Sequence, residues 1–217
     1  EYVSTEGYYG AGVGAADYKI VAAGNYSGTP DEKGAAFTLT NGNIAVLKHD
    51  GVVTDLQFGI KRDAAFANSG LVQTDGTDNG ANLVALLAAA KEQKFQVLFT
   101  DGIATTNTPL VMDKTLFSIH GTGKLMSFLN IGASFPVGSS LLTITDCGRT
   151  DGGTYYEKPF FTGNEKAVEL VGFTLLGRNR TVRANGLSFT GLNDDMIIDV
   201  ECRDFKGIGM SLGNANV

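Results

Sequence analysis

The feature that most constrains this chain is a set of short apolar strands that recur in register. Val171, Phe173 and Leu175 alternate as one apolar face, and Ile198, Val200 and Cys202 repeat that alternation 27 positions later. Leu187-Ser188-Phe189 returns as Met210-Ser211-Leu212 after 23 positions. A period in the twenties is what one coil of a stacked solenoid consumes, because each unit buries its apolar face only against its neighbours. Leucine-rich repeats share that length, but their fixed Leu and Asn positions are missing here.

Other strands fill the stretch before these repeats. Gln96-Val97-Leu98-Phe99, Leu116-Phe117-Ser118-Ile119, Leu125-Met126-Ser127-Phe128 and Leu141-Leu142-Thr143-Ile144 read as strands, followed by Val168 to Leu176 and Met196 to Cys202. Glycines or Asn/Asp pairs separate most of them, and no helix-period segment intervenes, which argues against a sheet with crossover helices. The helical signal lies upstream. Leu83, Leu86, Leu87 and Ala90 form one apolar stripe, Thr77 or Asp78 can cap its start, and Lys91 and Lys94 suit its end. A solenoid exposes raw strand edges at its terminus and needs a cover there. A helix immediately before the first coil predicts such a cap. The expected order is a β-rich head or neck module over 1–50, a connector over 51–77, a capping helix over 78–95, and the first coils of a parallel β-helix over 96–217, continuing beyond the chain. Within the connector, Val53 to Gly59 reads as extended.

Composition narrows the function. Seventeen Lys+Arg against 23 Asp+Glu, a net charge of −6 and no basic run give no footprint for nucleic acid or an anionic membrane. No apolar stretch approaches the roughly 20 residues that span a bilayer, and Glu1-Tyr2-Val3 shows no basic signal-peptide start. Cys147 and Cys202 are too few for a disulfide framework and read as buried free thiols. His49 and His120 lack partners at metal-ligand spacing. The Asp75-x-Thr77-x-Asn79-Gly80 stretch mimics a calcium loop, but its twelfth position is Leu86 rather than Glu. Gly10, Gly12 and Gly14 do not sit between a strand and a helix, so a nucleotide loop fails. No metal and no cofactor are expected.

The sharpest chemical feature is the strand Met196 to Cys202. If Ile198, Val200 and Cys202 face inward, Asp199 and Glu201 face out, roughly 6 to 7 Å apart at Cα. That spacing is compatible with a glycosidase carboxylate pair, and Gly172 and Thr174 beneath them leave room for a sugar ring. The alternative is two solvated acids on an exposed face. Arg178, Arg180 and Arg183 lie in a polar loop and suit an acidic sugar, a neighbouring subunit or plain solvent. Asp194-Asp195 read as turn formers.

The stretch Asp75-Gly76-Thr77-Asp78-Asn79-Gly80-Ala81-Asn82-Leu83 resembles the helix-opening motif of the pectate-lyase-like β-helix superfamily. The likeness continues through Val97 to Gly102, Thr108 to Val111 and Ile119 to Gly123. Upstream, Ala16 to Val21 and Gly51 to Gly59 look like the neck of a bacteriophage tailspike. Asn79-Gly80 and Thr100-Asp101 depart from the motif at the helix start and its following turn. The resemblance implies a mainly β fold, a right-handed parallel β-helix. It also implies a homotrimer on the virion tail that contacts tail or baseplate proteins. Such a protein acts at the bacterial surface on O-antigen or capsular polysaccharide, binding it and in many cases depolymerising it. Two alternatives stay open: a monomeric secreted pectinase-like lyase or hydrolase, and a non-enzymatic tail fibre or adaptor.

Overall fold

The computed structural model describes residues 1–67, 72–113, 118–145, 168–178, 181–190 and 196–213. The chain begins with an antiparallel sheet of β1 (Tyr2–Ser4), β2 (Asp17–Val21), β3 (Ala36–Thr38) and β4 (Ile44–Lys48), ordered β1-β2-β4-β3. Its inner face carries Tyr18, Ala45 and Leu47, which belong to the same apolar core as the helix and the following coils. A sheet this small depends on that shared core, since few strands alone bury too little apolar surface. The pattern of the sequence does not announce β4, because its Ile44, Ala45 and Leu47 are buried without alternation.

The connector departs from an extended reading. After β5 (Val52–Thr54) the chain enters a 3-10 turn over Asp55–Phe58, and Gly59 closes it in the left-handed region at φ 64°. The Thr54 backbone N–H donates to the Gln57 side-chain oxygen at 2.9 Å, a capping box that starts the turn. Two short strands, β6 (Ala65–Phe66) and β7 (Val72–Thr74), then pair antiparallel.

The helix α1 spans Gly80–Gln93 and buries Leu83, Leu86, Leu87 and Ala90. Asp78 accepts the Gly80 N–H at 3.0 Å, and Lys94 ends the helix in the left-handed region, its N–H bonded to the Ala90 carbonyl. The buried stripe lies against the first coil of the solenoid.

Three parallel walls then form. The first holds β5, β8 (Gln96–Phe99), β11 (Ile119–Gly121), β14 (Glu169–Val171) and β17 (Met196–Ile198). The second holds β9 (Gly102–Thr106), β12 (Ser127–Ile131), β15 (Thr174–Leu176) and β18 (Glu201–Arg203). The third holds β10 (Leu110–Asp113), β13 (Ser140–Thr145), β16 (Asn185–Thr190) and β19 (Met210–Gly213). From β8 onward the chain visits the walls in strict rotation and every pairing is parallel, which makes four stacked coils of a parallel β-helix. Thr174 lies beside Glu201 and Leu187 beside Met210, the offsets of 27 and 23 expected from the repeats.

The stacking aligns apolar columns. Val53, Val97, Ile119, Leu170 and Ile197 share one, Ala104, Leu129, Leu175 and Cys202 a second, and Leu110, Leu142, Leu187 and Met210 a third. Each fully buried aliphatic side chain in such a column contributes roughly 1.5–3 kcal/mol. Phe99 and Phe173 meet edge to face at 5.8 Å inside the first corner.

Two expectations are corrected. Val168 to Leu176 and Met196 to Cys202 are not continuous strands: each breaks at a corner, at Gly172 with φ 70° and at Asp199 with φ 54°. A left-handed residue resets the in-out alternation, so Leu170 and Ile197 point inward while Ile198 is 48% exposed. The strand expected at Leu125 begins later, at Ser127, leaving Leu125 and Met126 exposed in a turn. Cys202 packs against the core, and burial pushes its thiol up to about 11. Cys147 lies outside the described residues.

The outer face of the second wall is covered by a strap of residues 62–67 and 72–78, which bridges to Ile103 through Asp63 and Ala64 and to Thr105 through Asp78. Ala64 packs with Ile103, Phe128 and Leu176 in a separate apolar cluster, and Phe66 meets Phe128 edge to face at 5.0 Å. Beneath this strap Asp55 and Arg62 form an ion pair, their side chains 0% and 5% exposed. Arg62 Nε donates to Asp55 Oδ2, and its Nη1 donates to the carbonyls of Gly102 and Phe128 at 3.0 and 3.1 Å. Asp55 Oδ1 accepts the Thr100 hydroxyl at 2.9 Å. The strand Gly102–Thr106 escapes a period-based reading for this reason: both its faces are covered, and Ile103 to Thr106 are all buried.

Candidate functional site

The corner between the first and second walls places side chains from two levels of the stack into one lateral pocket. Lys124 and Leu125 come from the turn between β11 and β12, Asp199 and Val200 from the turn between β17 and β18. Ile197, Glu201 and Arg203 complete a lining around about 490 Å³. Gly172 occupies the corner between these two levels, in the left-handed region at φ 70°. Lys124 Nζ lies 2.9 Å from Asp199 Oδ1. The Lys124 carbonyl is fixed by the Thr174 hydroxyl, which donates to it. Arg203 donates to Glu201 twice, Nε to Oε1 at 3.2 Å and Nη2 to Oε2 at 2.9 Å.

Both pairs stand in solvent. Lys124 and Asp199 are 47% and 48% exposed, Arg203 and Glu201 35% and 36%. The hydrogen bond to Asp199 raises the Lys124 ammonium pKa, with the Asp199 charge adding to it. Each carboxylate therefore faces a cation and retains lone pairs for further donors. Such a set accepts hydrogen bonds from hydroxyl groups and offers N–H donors beside them, with Leu125 as an apolar neighbour.

Asp199 and Glu201 line this pocket together, but not as adjacent outward positions of one strand. Asp199 is the corner residue and Glu201 opens the next strand, so the along-strand spacing of roughly 6 to 7 Å does not apply. Sequence reasoning passed over Lys124 and Arg203. Arg203 was legible as the residue two after Glu201 on the same face, whereas Lys124 is brought in only by stacking.

Arg178 is engaged elsewhere. Its Nε donates to Asp75 at 2.7 and 2.9 Å and its Nη1 to the Thr181 hydroxyl at 2.8 Å. Asp75 also accepts the Ala133 N–H at 3.2 Å, so this pair ties the strap to the coils. Arg183 is exposed, and its carbonyl accepts the Gly138 N–H at 2.7 Å. Arg180, Asp194 and Asp195 lie outside the described residues. His120 sits 3.3 Å from Glu169 on the outer surface of the first wall. His49 packs edge to face on Phe95 at 5.1 Å, and burial lowers its pKa despite nearby Asp50. Among the described residues no group of three or more His, Cys, Asp or Glu is placed to hold a metal ion, and no helix is long and apolar enough to cross a membrane.

No family model matches this chain, and no curated protein does. Solved structures do match its fold. One is WceF of Pantoea stewartii, described as a glycan biofilm modifying enzyme with a tailspike-like parallel β-helix. It is 11% identical with a TM-score of 0.57, over 97% of this chain and 29% of that one. A second is tailspike protein gp49 of Acinetobacter baumannii bacteriophage Fri1, a capsular polysaccharide depolymerase, at 16% identity and TM-score 0.54, covering 88% and 34%. A third is the enzymatically active domain of tailspike protein 2 of bacteriophage CBA120, at 14% identity and TM-score 0.51, covering 92% and 33%. The chain thus spans about a third of each of these structures. Rotation through three parallel walls and these likenesses agree: the fold is the parallel β-helix of tailspike-like proteins.

Proposed function

We infer that this chain is part of a tailspike-type receptor-binding protein, carried on a phage tail, that recognises and depolymerises bacterial surface polysaccharide. The observation that carries the reading is the polar pocket on the flank of a stacked solenoid, in a fold shared with a capsular depolymerase and a glycan-modifying enzyme. In this reading the antiparallel sheet of residues 1–50 and the connector 51–77 serve as head and neck, and α1 caps the core. The coils then support glycan binding within a homotrimer that attaches to other tail proteins. Asp199 and Glu201 are the carboxylates that would act on a glycosidic bond, through the lone pairs that Lys124 and Arg203 leave free. Arg183 is the exposed arginine for an acidic sugar.

The test is to incubate the purified protein with O-antigen and capsular polysaccharides and follow polymer mass by light scattering. Shortened polymer supports the depolymerase. Bound but intact polymer supports a fibre or adaptor, and neither binding nor cleavage contradicts the reading. The same instrument reports the particle itself: three times the 22.8 kDa chain mass supports the trimer, and a monomer favours a single-chain lyase or hydrolase.

A further inference from the structure

We propose that the corner pocket is a subsite for an uncharged sugar ring carrying adjacent hydroxyls, an assignment that rests on the polysaccharide reading and narrows it to a substrate class. Size comes first. At about 490 Å³ the pocket lies within the roughly 300–1,000 Å³ of small-molecule sites.

Charge comes second. The pocket presents Lys124 and Arg203 against Asp199 and Glu201, two positive and two negative groups, so its formal charges cancel. Each cation is already bound to a carboxylate, at 2.9 Å in both pairs. A uronate or sialate entering here would face two carboxylates, and its own charge would compete for cations already paired. A neutral hydroxyl meets no such penalty. It donates to a free carboxylate lone pair, and a neighbouring hydroxyl accepts from the ammonium or guanidinium beside it. Both ion pairs line the one pocket, so a ring held there meets two such sets of groups.

Shape and polarity come third. Leu125 is 63% exposed at the pocket wall, and Ile197 and Val200 line it from the core side. A sugar ring has hydroxyls around its edge and C–H groups on its faces, so one face lies on Leu125 while the edge meets the ion pairs.

The experiment is a methyl-labelled NMR titration of the whole chain with two matched oligosaccharide panels. One is built from uncharged hexoses and deoxyhexoses, the other contains uronates. The expected result is that uncharged members shift the methyl signals of Leu125, Ile197 and Val200, with an affinity little changed by added salt. Asp199→Asn and Glu201→Gln, which keep shape and tolerate the local backbone, each weaken that binding about tenfold. Leu125→Ser gives a second reading that leaves the ion pairs intact, and it too should weaken binding. The inference is overturned if only uronate-containing members shift these methyls. It is also overturned if no member shifts them while intact polysaccharide is still bound or shortened, a result that leaves the wider polysaccharide reading standing. Failure to bind or cleave any surface polysaccharide overturns both.

Discussion

Two ion pairs on neighbouring parts of this solenoid differ in nearly every physical respect. Asp55 and Arg62 sit under the strap with almost no exposure, share bonds with Thr100, Gly102 and Phe128, and place the guanidinium 5.4 Å from the Phe99 ring centre. Burial lowers the Arg62 pKa and the Asp55 carboxylate opposes that shift. Lys124 and Asp199 sit at an open corner, each about half exposed, with a pocket beside them. A buried pair whose every partner belongs to the chain is architecture. An exposed pair with unused hydrogen-bonding capacity contributes little to stability and is free to meet a ligand.

The largest expected effect comes from breaking the buried pair. Arg62→Leu strands the Asp55 carboxylate in the core and should cost about 3–5 kcal/mol, read as a lower urea midpoint. Next, Leu170→Ala should cost about 2–5 kcal/mol, whereas Ile198→Ala at the exposed position should stay within about 0.5 kcal/mol. Equal losses at these two positions would break the inward and outward assignments at the corners. Acid offers a milder probe of the strap. Burial works to raise the Asp63 pKa, but the Thr77 N–H and hydroxyl outweigh it and the net shift is downward. Asp78 behaves likewise through Asn107 and Gly80. Lowered folded-state values mean stability that is complete above the ordinary carboxylate range and lost as pH falls below about 4. Thermal melts across that range should therefore drop, with Asp63→Asn flattening the change. The smallest effect belongs to the exposed pair: Lys124→Ala should leave the urea midpoint essentially unchanged.

These contrasts also explain what the sequence made legible. The offsets of 27 and 23 were readable because β14 to β19 follow one another with short corners. The coil before them was hidden, since Ile119 pairs with Leu170 across 51 positions and no fixed period survives that interval. The helix was readable because it buries one face, Leu83 to Ala90, and wets the other. The strand Gly102–Thr106 was not, because the strap covers its outer side and removes the alternation. At the pocket, Asp199 and Glu201 stood out as acids near a repeat. Their partners did not, because Lys124 is 75 positions from Asp199 and meets it only through stacking. Local chemistry marks the residues, and register decides which of them meet.

The most direct measurement is hydrogen exchange of every backbone amide, with and without added bacterial surface polysaccharide. Strands β9 and β12 beneath the strap should exchange slowly in both states. Residues 122–126 and 197–203 should exchange faster in the free protein and slow on binding. Protection that appears under the strap, or that leaves the corner unchanged while polysaccharide is bound, would contradict the corner site.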